Sequence, residues 1–257
     1  MVYGYCFSVY NPSSILVGTN WVPSLSYWDV VMRVVQLHDF LEPHILDGCL
    51  REVRELDLKR YDNPFEHKWL LENKGSIGPN LVNAFQELKQ PSTCRWVQRL
   101  LDIPLSHANY TRFGGVFVYD VDDYLSPHVD AGEYQDTHKL ATALIYLTEA
   151  ALQTWNGDSC LKEDPQVWAP TTYIIQPNTC VLFENTDTAW HGVPIVHTKA
   201  RVALTLSYMS HPDFKRTGVF RNPRTHAYFA RQVGEGHELD SLRQLRASDQ
   251  AHKAWRT

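Results

Sequence analysis

The stretch Ala141-Thr142-Ala143-Leu144-Ile145-Tyr146-Leu147 is an unbroken run of apolar, β-branched and aromatic residues. A run of this kind, without glycine or proline, predicts a strand that is buried on both faces. Four similar short runs lie around it, separated by Gly, Pro, Asn and Asp: residues 116–119, 172–175, 180–183 and 202–208. Their spacing predicts that the region from about Phe113 to Tyr208 forms a β-sandwich or barrel.

Apolar residues ahead of this region recur at helical spacing. Pro43 suits the first turn of a helix, and the apolar positions that follow it at intervals of three or four are Ile45, Leu46, Cys49, Leu50, Val53 and Leu56. Residues 80–88 and 92–101 predict two further short helices, and a last helix is expected to start near Asp240.

The order of these elements predicts one domain over residues 1–257, with a β core between two flanking segments. The three parts are an N-terminal arm with supporting helices at 1–106, a jelly-roll core at 107–210, and a C-terminal arm and helix at 211–257.

The composition limits the classes of partner. With 24 Lys and Arg against 29 Asp and Glu, the formal net charge is −5, so no general basic field favours nucleic acid or an anionic membrane. No apolar run approaches the roughly 20 residues that cross a bilayer, and the first residues lack a secretory signal pattern. Five scattered cysteines without a Cys-x-x-Cys pair suit a reducing compartment. We therefore expect a cytoplasmic protein without nucleic-acid or membrane partners, and the oligomeric state stays open.

The triplet His128-Val129-Asp130 is the main chemical signal of the β region. On a strand, residues two apart point to the same face, so His128 and Asp130 can bind one metal ion together. A third ligand, His191, would come from another strand. Two imidazoles and one carboxylate form the facial triad of non-haem Fe(II) oxygenases. Arg201 is a planar fork suited to a carboxylate.

Four segments in this order resemble the catalytic core of the Fe(II)/2-oxoglutarate-dependent dioxygenases, in particular the prolyl-hydroxylase-like branch. They precede Arg201 and span residues 119–130, 139–147, 177–183 and 190–194. The segment from Leu37 to Leu56 is similar to the strand-and-helix entry of that branch. The resemblance implies a mainly β fold with flanking helices, in which a double-stranded β-helix core (jelly roll, cupin-like) packs against N-terminal helices.

The resemblance also implies roles for individual residues. The iron ligands, and thus the catalytic residues, would be His128, Asp130 and His191. Arg201 would bind the distal carboxylate of 2-oxoglutarate, and the hydroxyl of Tyr146 would support that carboxylate. Thr142 shares the strand face of Tyr146 and is a candidate partner behind the ligands, while Tyr119 would line the cofactor pocket. The cofactors implied are Fe(II), 2-oxoglutarate as co-substrate and O₂, with ascorbate as a supporting reductant.

Two departures narrow the expected reaction. Nucleic-acid demethylases of the superfamily carry a second arginine where this chain has Ser207, and halogenases lack the carboxylate that Asp130 supplies. The expected reaction is therefore hydroxylation of an unactivated C–H bond, with release of succinate and CO₂. A small molecule is the expected substrate because the sequence shows no obvious accessory peptide-binding module.

Charged groups around the core have two interpretations: they are solvated loop charges, or they bind a free or modified amino acid through an acidic group for its amine and an arginine for its carboxylate. The candidate acids are Asp120, Asp122, Asp123, Glu133 and Asp136. The candidate arginines are Arg216, Arg221, Arg224 and Arg231. Three tryptophans could wall the pocket: Trp155, Trp168 and Trp190.

Three alternative functions stay open at this point. The first is a prolyl or other peptidyl hydroxylase. The second is a non-catalytic jelly-roll protein that binds a metal. The third is a zinc hydrolase, since zinc also accepts two histidines and an aspartate, although hydrolysis would not explain Arg201 or Tyr146.

Overall fold

A computed structural model describes residues 7–9, 32–63, 66–71, 77–105, 111–130, 133–134, 137–155, 170–186 and 188–210. The helices within these ranges are α1 (Pro43–Arg54), α2 (Pro79–Lys89) and α3 (Pro91–Leu101). The strands are β1 (Phe7–Val9), β2 (Val34–Leu37), β3 (Leu58–Asn63), β4 (Glu66–Leu71), β5 (Thr111–Tyr119), β6 (Tyr124–His128), β7 (Glu133–Tyr134), β8 (Thr137–Tyr146), β9 (Ala150–Thr154), β10 (Thr171–Ile175), β11 (Thr179–Glu184), β12 (His191–Val193) and β13 (Arg201–Met209).

The strands form one antiparallel sheet that curls over itself. Its order is β1-β2-β11-β8-β13-β5-β4-β6-β12-β9-β10, with β3 paired to β4 and β7 paired to β8. Strands β2, β11, β8, β13 and β5 make one face of the jelly roll, and β6, β12, β9 and β10 make the other. The predicted fold class, a double-stranded β-helix with flanking helices, is confirmed.

Strand β8 separates two apolar cores because its successive side chains point to opposite faces. Leu144 and Tyr146 point into the jelly roll, where they pack with residues of β9, β10 and β11. Ala143 and Ile145 point outward and pack with the helices. Both faces of the strand are covered, which explains why the sequence shows a continuous apolar run instead of an alternation.

Each of the three helices begins at a proline, namely Pro43, Pro79 or Pro91. Proline is well tolerated there because the first backbone N–H groups of a helix have no intrahelical acceptor. The helices expected at 80–88 and 92–101 are therefore present, each starting one residue earlier. No helix among the described residues is long and apolar enough to cross a membrane.

The hairpin of β3 and β4 was not expected from the sequence. It lies in the segment for which only an arm and helices were predicted, and its residues are mostly polar or charged. Strand β4 pairs with β5 through Trp69 opposite Val118, and with β6 through Glu66 opposite Leu125. The hairpin thus closes the gap between the two faces of the jelly roll.

Several other expectations lie outside the described residues. They are the helix near Asp240, the four arginines beyond the core, Asp136 and Trp168. The described cysteines, Cys49, Cys94 and Cys180, are buried and free.

Asn178 joins the start of β11 to the segment that enters α1. Its side chain accepts a hydrogen bond from the Leu41 backbone N–H and donates one to the Leu41 carbonyl, both at 2.8 Å. Its backbone has a φ of 60°, a left-handed conformation that asparagine tolerates better than most residues. The residue is buried, so these polar groups have little access to water.

Replacing Asn178 by Ala is expected to lower the free energy of unfolding by about 2–4 kcal/mol, because two buried backbone groups lose their partners and the backbone becomes strained. Replacing it by Gly should cost roughly 1 kcal/mol less, since glycine avoids the strain. Urea denaturation of both variants measures the two effects. An Ala variant as stable as the natural chain would contradict the bridging role.

Candidate metal centre

His128 and His191 meet across the pairing of β6 and β12. His128 ends β6, His191 begins β12, and the two residues are direct partners in the antiparallel register. Their ring centroids lie 4.2 Å apart, and both residues are buried. The register alone therefore brings together two imidazoles that are separated by more than sixty positions in the sequence.

Gly192 allows this close approach. A Cβ atom at this position would lie 2.7 Å from the Leu125 carbonyl oxygen and 3.3 Å from the Pro127 backbone nitrogen. The backbone of β6 occupies the space that a side chain would need, so the residue after His191 has to be glycine.

Asp130 completes the group from the residues just after β6. Its Oδ1 lies 3.6 Å from Nε2 of His128, and its Oδ2 lies 3.8 Å from Nε2 of His191. One ligand atom from each of the three residues falls within 4.8 Å of the others. The sequence placed His128 and Asp130 on one strand, but β6 ends at His128 and Asp130 follows it.

Backbone carbonyls orient both imidazoles. Nδ1 of His128 donates to the Ser126 carbonyl at 3.1 Å, and Nδ1 of His191 donates to the Ala189 carbonyl at 3.0 Å. With Nδ1 protonated, each Nε2 keeps its lone pair and points it toward Asp130.

Burial keeps these rings neutral. Burial, together with the neighbouring His191, lowers the pKa of His128 to about 3 although Asp130 acts in the opposite direction. Burial likewise lowers the pKa of His191. Neutral imidazole is the form that binds a metal, so protons do not compete for these nitrogens at neutral pH.

Thr142 and Asn185 support the carboxylate of Asp130 from behind. The Thr142 hydroxyl donates to Oδ2 of Asp130 at 3.2 Å and accepts a hydrogen bond from Nδ2 of Asn185 at 3.0 Å. The backbone N–H of Asn185 donates to the Leu140 carbonyl at 2.9 Å. Thr142 therefore contacts the proposed ligand Asp130, and Asn185 is a residue that the sequence reasoning missed.

Arg201 is a buried cation at the start of β13. Its Nη2 donates to the Tyr146 hydroxyl at 3.1 Å, and its guanidinium carbon lies 4.7 Å from the Tyr119 ring centroid and 4.9 Å from that of Tyr146. Its Nε has no hydrogen-bond partner among the described residues. Burying a guanidinium is costly unless an anion compensates it, and an anionic group bound at this end of the cavity would do so.

One cavity of about 330 Å³ joins the histidine–aspartate cluster to Arg201. Of the residues predicted for the site, six line it: Tyr119, His128, Asp130, Thr142, His191 and Arg201. Tyr146 reaches the cavity through its hydrogen bond to Arg201. Three charged residues that the sequence did not single out also line it: Glu66, Lys68 and Lys139.

Two of the acidic residues considered for substrate binding, Asp120 and Asp123, have other roles. Asp123 binds Arg60 through both carboxylate oxygens, at 2.7 and 2.6 Å, and Asp120 accepts a hydrogen bond from the Trp69 indole at 2.8 Å. Neither residue lines the cavity. They fix the turn between β5 and β6, so this part of the substrate-binding prediction is wrong.

Two further expectations need correction. Trp155 and Trp190 are buried but do not line the cavity. Tyr119, expected on the strand leading into the first ligand, ends β5, and a turn separates it from β6.

The residues present fit Fe(II) and 2-oxoglutarate. Two neutral imidazoles and a carboxylate are the donor set of the facial triad. The unsatisfied Nε of the buried Arg201 matches the need of a dicarboxylic acid for a cation at its far end.

Comparisons with known proteins agree with this geometry. Residues 114–209 match the family model described as the 2OG-Fe(II) oxygenase superfamily. No curated protein matches the chain in sequence. The matched segment spans β5 to β13 and contains the three candidate ligands and Arg201.

Solved structures of this superfamily share the fold at low sequence identity. A prolyl-4-hydroxylase from Pseudomonas putida has a TM-score of 0.52 at 14% identity, over 69% of this chain and 92% of that one. The non-haem alpha-ketoglutarate-dependent epimerase SnoN from nogalamycin biosynthesis also has 0.52 at 14% identity, over 74% and 87%. HygX from Streptomyces hygroscopicus, with nickel, 2-oxoglutarate and hygromycin B bound, has 0.50 at 13% identity, over 69% and 82%.

The family match and the shared fold point to the same class of protein. Over residues 114–209, the β core of this chain is similar to the 2OG-Fe(II) oxygenase superfamily, a class of 2-oxoglutarate-dependent non-haem iron enzymes. The resemblance inferred from the sequence is confirmed.

Substituting Thr142 by Val should weaken metal binding about 10-fold, because residues that orient a ligand typically contribute 10–100-fold to affinity. Calorimetric titration of Mn(II) into the protein measures this. Thr179→Val is the matched control, since that buried threonine bonds His38 instead of a ligand. Equal Mn(II) affinity of the Thr142 variant and the natural chain would contradict the supporting role.

Proposed function

We propose that this enzyme is an Fe(II)- and 2-oxoglutarate-dependent hydroxylase that acts on a small molecule, and that His128, Asp130 and His191 are its iron ligands. The observation that carries the proposal is the shared cavity. The three ligand atoms, all within 4.8 Å of one another, open into the same space as a buried guanidinium whose Nε has no hydrogen-bond partner among the described residues.

The residues of this chain would bind the metal ion and 2-oxoglutarate and orient them. His128, Asp130 and His191 would hold Fe(II) through two imidazoles and one carboxylate, a donor set that leaves further ligand positions for the co-substrate and O₂. When bound, Fe(II) and 2-oxoglutarate supply the oxidising chemistry, in which O₂ is consumed, succinate and CO₂ are released and a C–H bond is oxidised.

The other end of the cavity would hold the co-substrate. The free N–H groups of Arg201 would donate to the distal carboxylate of 2-oxoglutarate, and the Tyr146 hydroxyl, already 3.1 Å from Nη2 of Arg201, would support the same group. The ring of Tyr119 packs against the guanidinium and restricts its orientation. Such a preformed contact reduces the entropy that binding costs.

A small-molecule substrate is supported by the cavity. Its volume of about 330 Å³ lies at the lower end of the range of roughly 300–1,000 Å³ for small-molecule sites. HygX, which shares the fold, has been solved with hygromycin B bound. Free or modified amino acids stay in the proposed range of substrates. The residues at 1–106 and 211–257 are proposed to act as arms that flank the core at 107–210.

A peptidyl hydroxylase is the second candidate. The observation in its favour is the fold shared with the prolyl-4-hydroxylase of Pseudomonas putida. The two candidates use the same metal and co-substrate site, so they differ only in what stimulates turnover.

A succinate-release assay with Fe(II), 2-oxoglutarate and ascorbate tests the proposal. Amino acids and small metabolites are expected to stimulate release more than proline-containing peptides, and His128→Ala should lower stimulated release about 100-fold or more by removing one of three ligands. Stimulation by peptides alone would replace the small-molecule proposal with the second candidate. Turnover that His128→Ala leaves unchanged would contradict the metal assignment.

Arg201→Met is expected to weaken 2-oxoglutarate binding about 100-fold, because a charged hydrogen-bonding partner inside a buried site contributes several kcal/mol. Titration of 2-oxoglutarate into the Mn(II)-loaded protein measures this, and Mn(II) affinity itself should stay the same. Arg33→Met serves as control, since Arg33 is half-exposed and pairs with Glu184 outside the cavity. An unchanged affinity for 2-oxoglutarate in the Arg201 variant would exclude this role.

A further inference from the structure

We propose that Lys68, fixed by Glu66, is a second cationic contact for 2-oxoglutarate and binds the carboxylate at the metal end of the molecule. The inference rests on the proposed function and deepens it, since it adds a residue from outside the family-matched segment to the co-substrate site.

The register of β4 places Lys68 beside the co-substrate site. Trp69 is opposite Val118 and Leu70 is opposite Phe117, so Lys68 is level with Tyr119 on β5. At its other end β4 pairs with β6, the strand that ends at His128. Strand β4 therefore forms the part of the cavity wall between Tyr119, whose ring packs against Arg201, and His128, the first proposed iron ligand.

Glu66 and Lys68 both point into the jelly roll. They are two residues apart on the strand and thus share a face, and both line the cavity of the metal cluster. The Lys68 Nζ lies 2.6 Å from Oε2 of Glu66, and the two side chains are 11% and 4% exposed. Nζ also lies 4.8 Å from the ring centroid of Phe117, another cavity residue.

The buried ion pair of Glu66 and Lys68 is energetically unfavourable compared with apolar residues at the same place in the cavity wall. Removing two charges from water costs several kcal/mol per ion, and an apolar pair of similar volume often stabilises a fold at least as well. A charged pair on the inner face of the cavity therefore indicates that one of its charges serves a ligand.

The charge of Lys68, which lines the cavity beside Tyr119, acts on the residues around it. Burial raises the pKa of Tyr119, and Lys68 is the largest of the neighbouring charges that oppose this, ahead of Arg201. Lys68 is also among the charges that lower the pKa of His128. Its ammonium thus acts on a residue at each end of the path that 2-oxoglutarate must follow from the metal to Arg201.

Lys68 and Arg201 would each bind one of the two carboxylates of 2-oxoglutarate. The distal carboxylate has Arg201 and Tyr146, which already contact each other. The carboxylate next to the keto group would lie nearer His128, on the side that β4 covers. Glu66 would balance the ammonium and hold it in position, and the ligand carboxylate would accept a further hydrogen bond from Nζ.

The test compares two keto acids on the Mn(II)-loaded protein by calorimetry. The probes are 2-oxoglutarate and 2-oxopentanoate, which has the same keto-acid end but a methyl group in place of the distal carboxylate. Lys68→Met should weaken both probes by a similar factor of about 10–100, as expected for loss of a charged hydrogen bond. Arg201→Met should weaken 2-oxoglutarate only.

The double variant Lys68→Met with Glu66→Gln removes the pair together and avoids an isolated buried carboxylate. It should fold stably and still bind both probes weakly, whereas Lys59→Met, at an exposed position on β3, should bind both as the natural chain does. A double variant with natural affinity for both probes would show that the pair is structural only. An effect of Lys68→Met on 2-oxoglutarate alone would place the ammonium at the distal carboxylate and overturn the assignment. If Arg201→Met leaves 2-oxoglutarate binding intact, the proposed function fails, whatever the Lys68 variants do.

Discussion

The antiparallel pairing of β6 with β12 is the constraint on which the site depends. It sets His128 directly opposite His191, at the separation of a few ångströms that paired residues in a sheet have. Gly192 permits this pairing because the β6 backbone fills the space beside it. Once the two imidazoles are fixed, the chain leaving β6 brings Asp130 to them, and Thr142 on β8 bonds its carboxylate. The candidate metal site is thus a product of sheet register.

A second constraint comes from the cation at the opposite end of the cavity. Arg201 is buried against two tyrosine rings. Without a ligand, its Nε is a buried donor with no hydrogen-bond partner among the described residues, which is energetically costly. Sheet β2-β11-β8-β13-β5 holds this end rigid, because its outer face packs on the three helices. The same fold therefore supports both ends of the proposed co-substrate site, and β4 adds the charged residues Glu66 and Lys68 to the cavity wall.

The sequence predicted the parts of this arrangement that carry a regular pattern. The apolar run of β8, the spacing of the helices and the order of motifs from His128 to Arg201 were sufficient for the fold and for the cluster. The sequence did not predict the segments in which such a regular pattern is interrupted. Strand β4 begins with Glu66, His67 and Lys68 and shows no apolar pattern that would predict it. The pairing of β8 with β13 shifts register between Tyr208 and Met209 of β13, so Leu140 of β8 packs in the outer core while Lys139 lines the cavity. Charges that were expected at the substrate, such as Asp123, instead bind the framework.

Diffraction from crystals grown without oxygen, with Fe(II) and 2-oxoglutarate, would test the central claim most directly. We expect one anomalous iron peak in coordination contact with Nε2 of His128, Nε2 of His191 and a carboxylate oxygen of Asp130, and a co-substrate whose distal carboxylate accepts hydrogen bonds from Arg201. An iron peak away from these three residues, or a 2-oxoglutarate whose distal carboxylate does not touch the guanidinium, would contradict it.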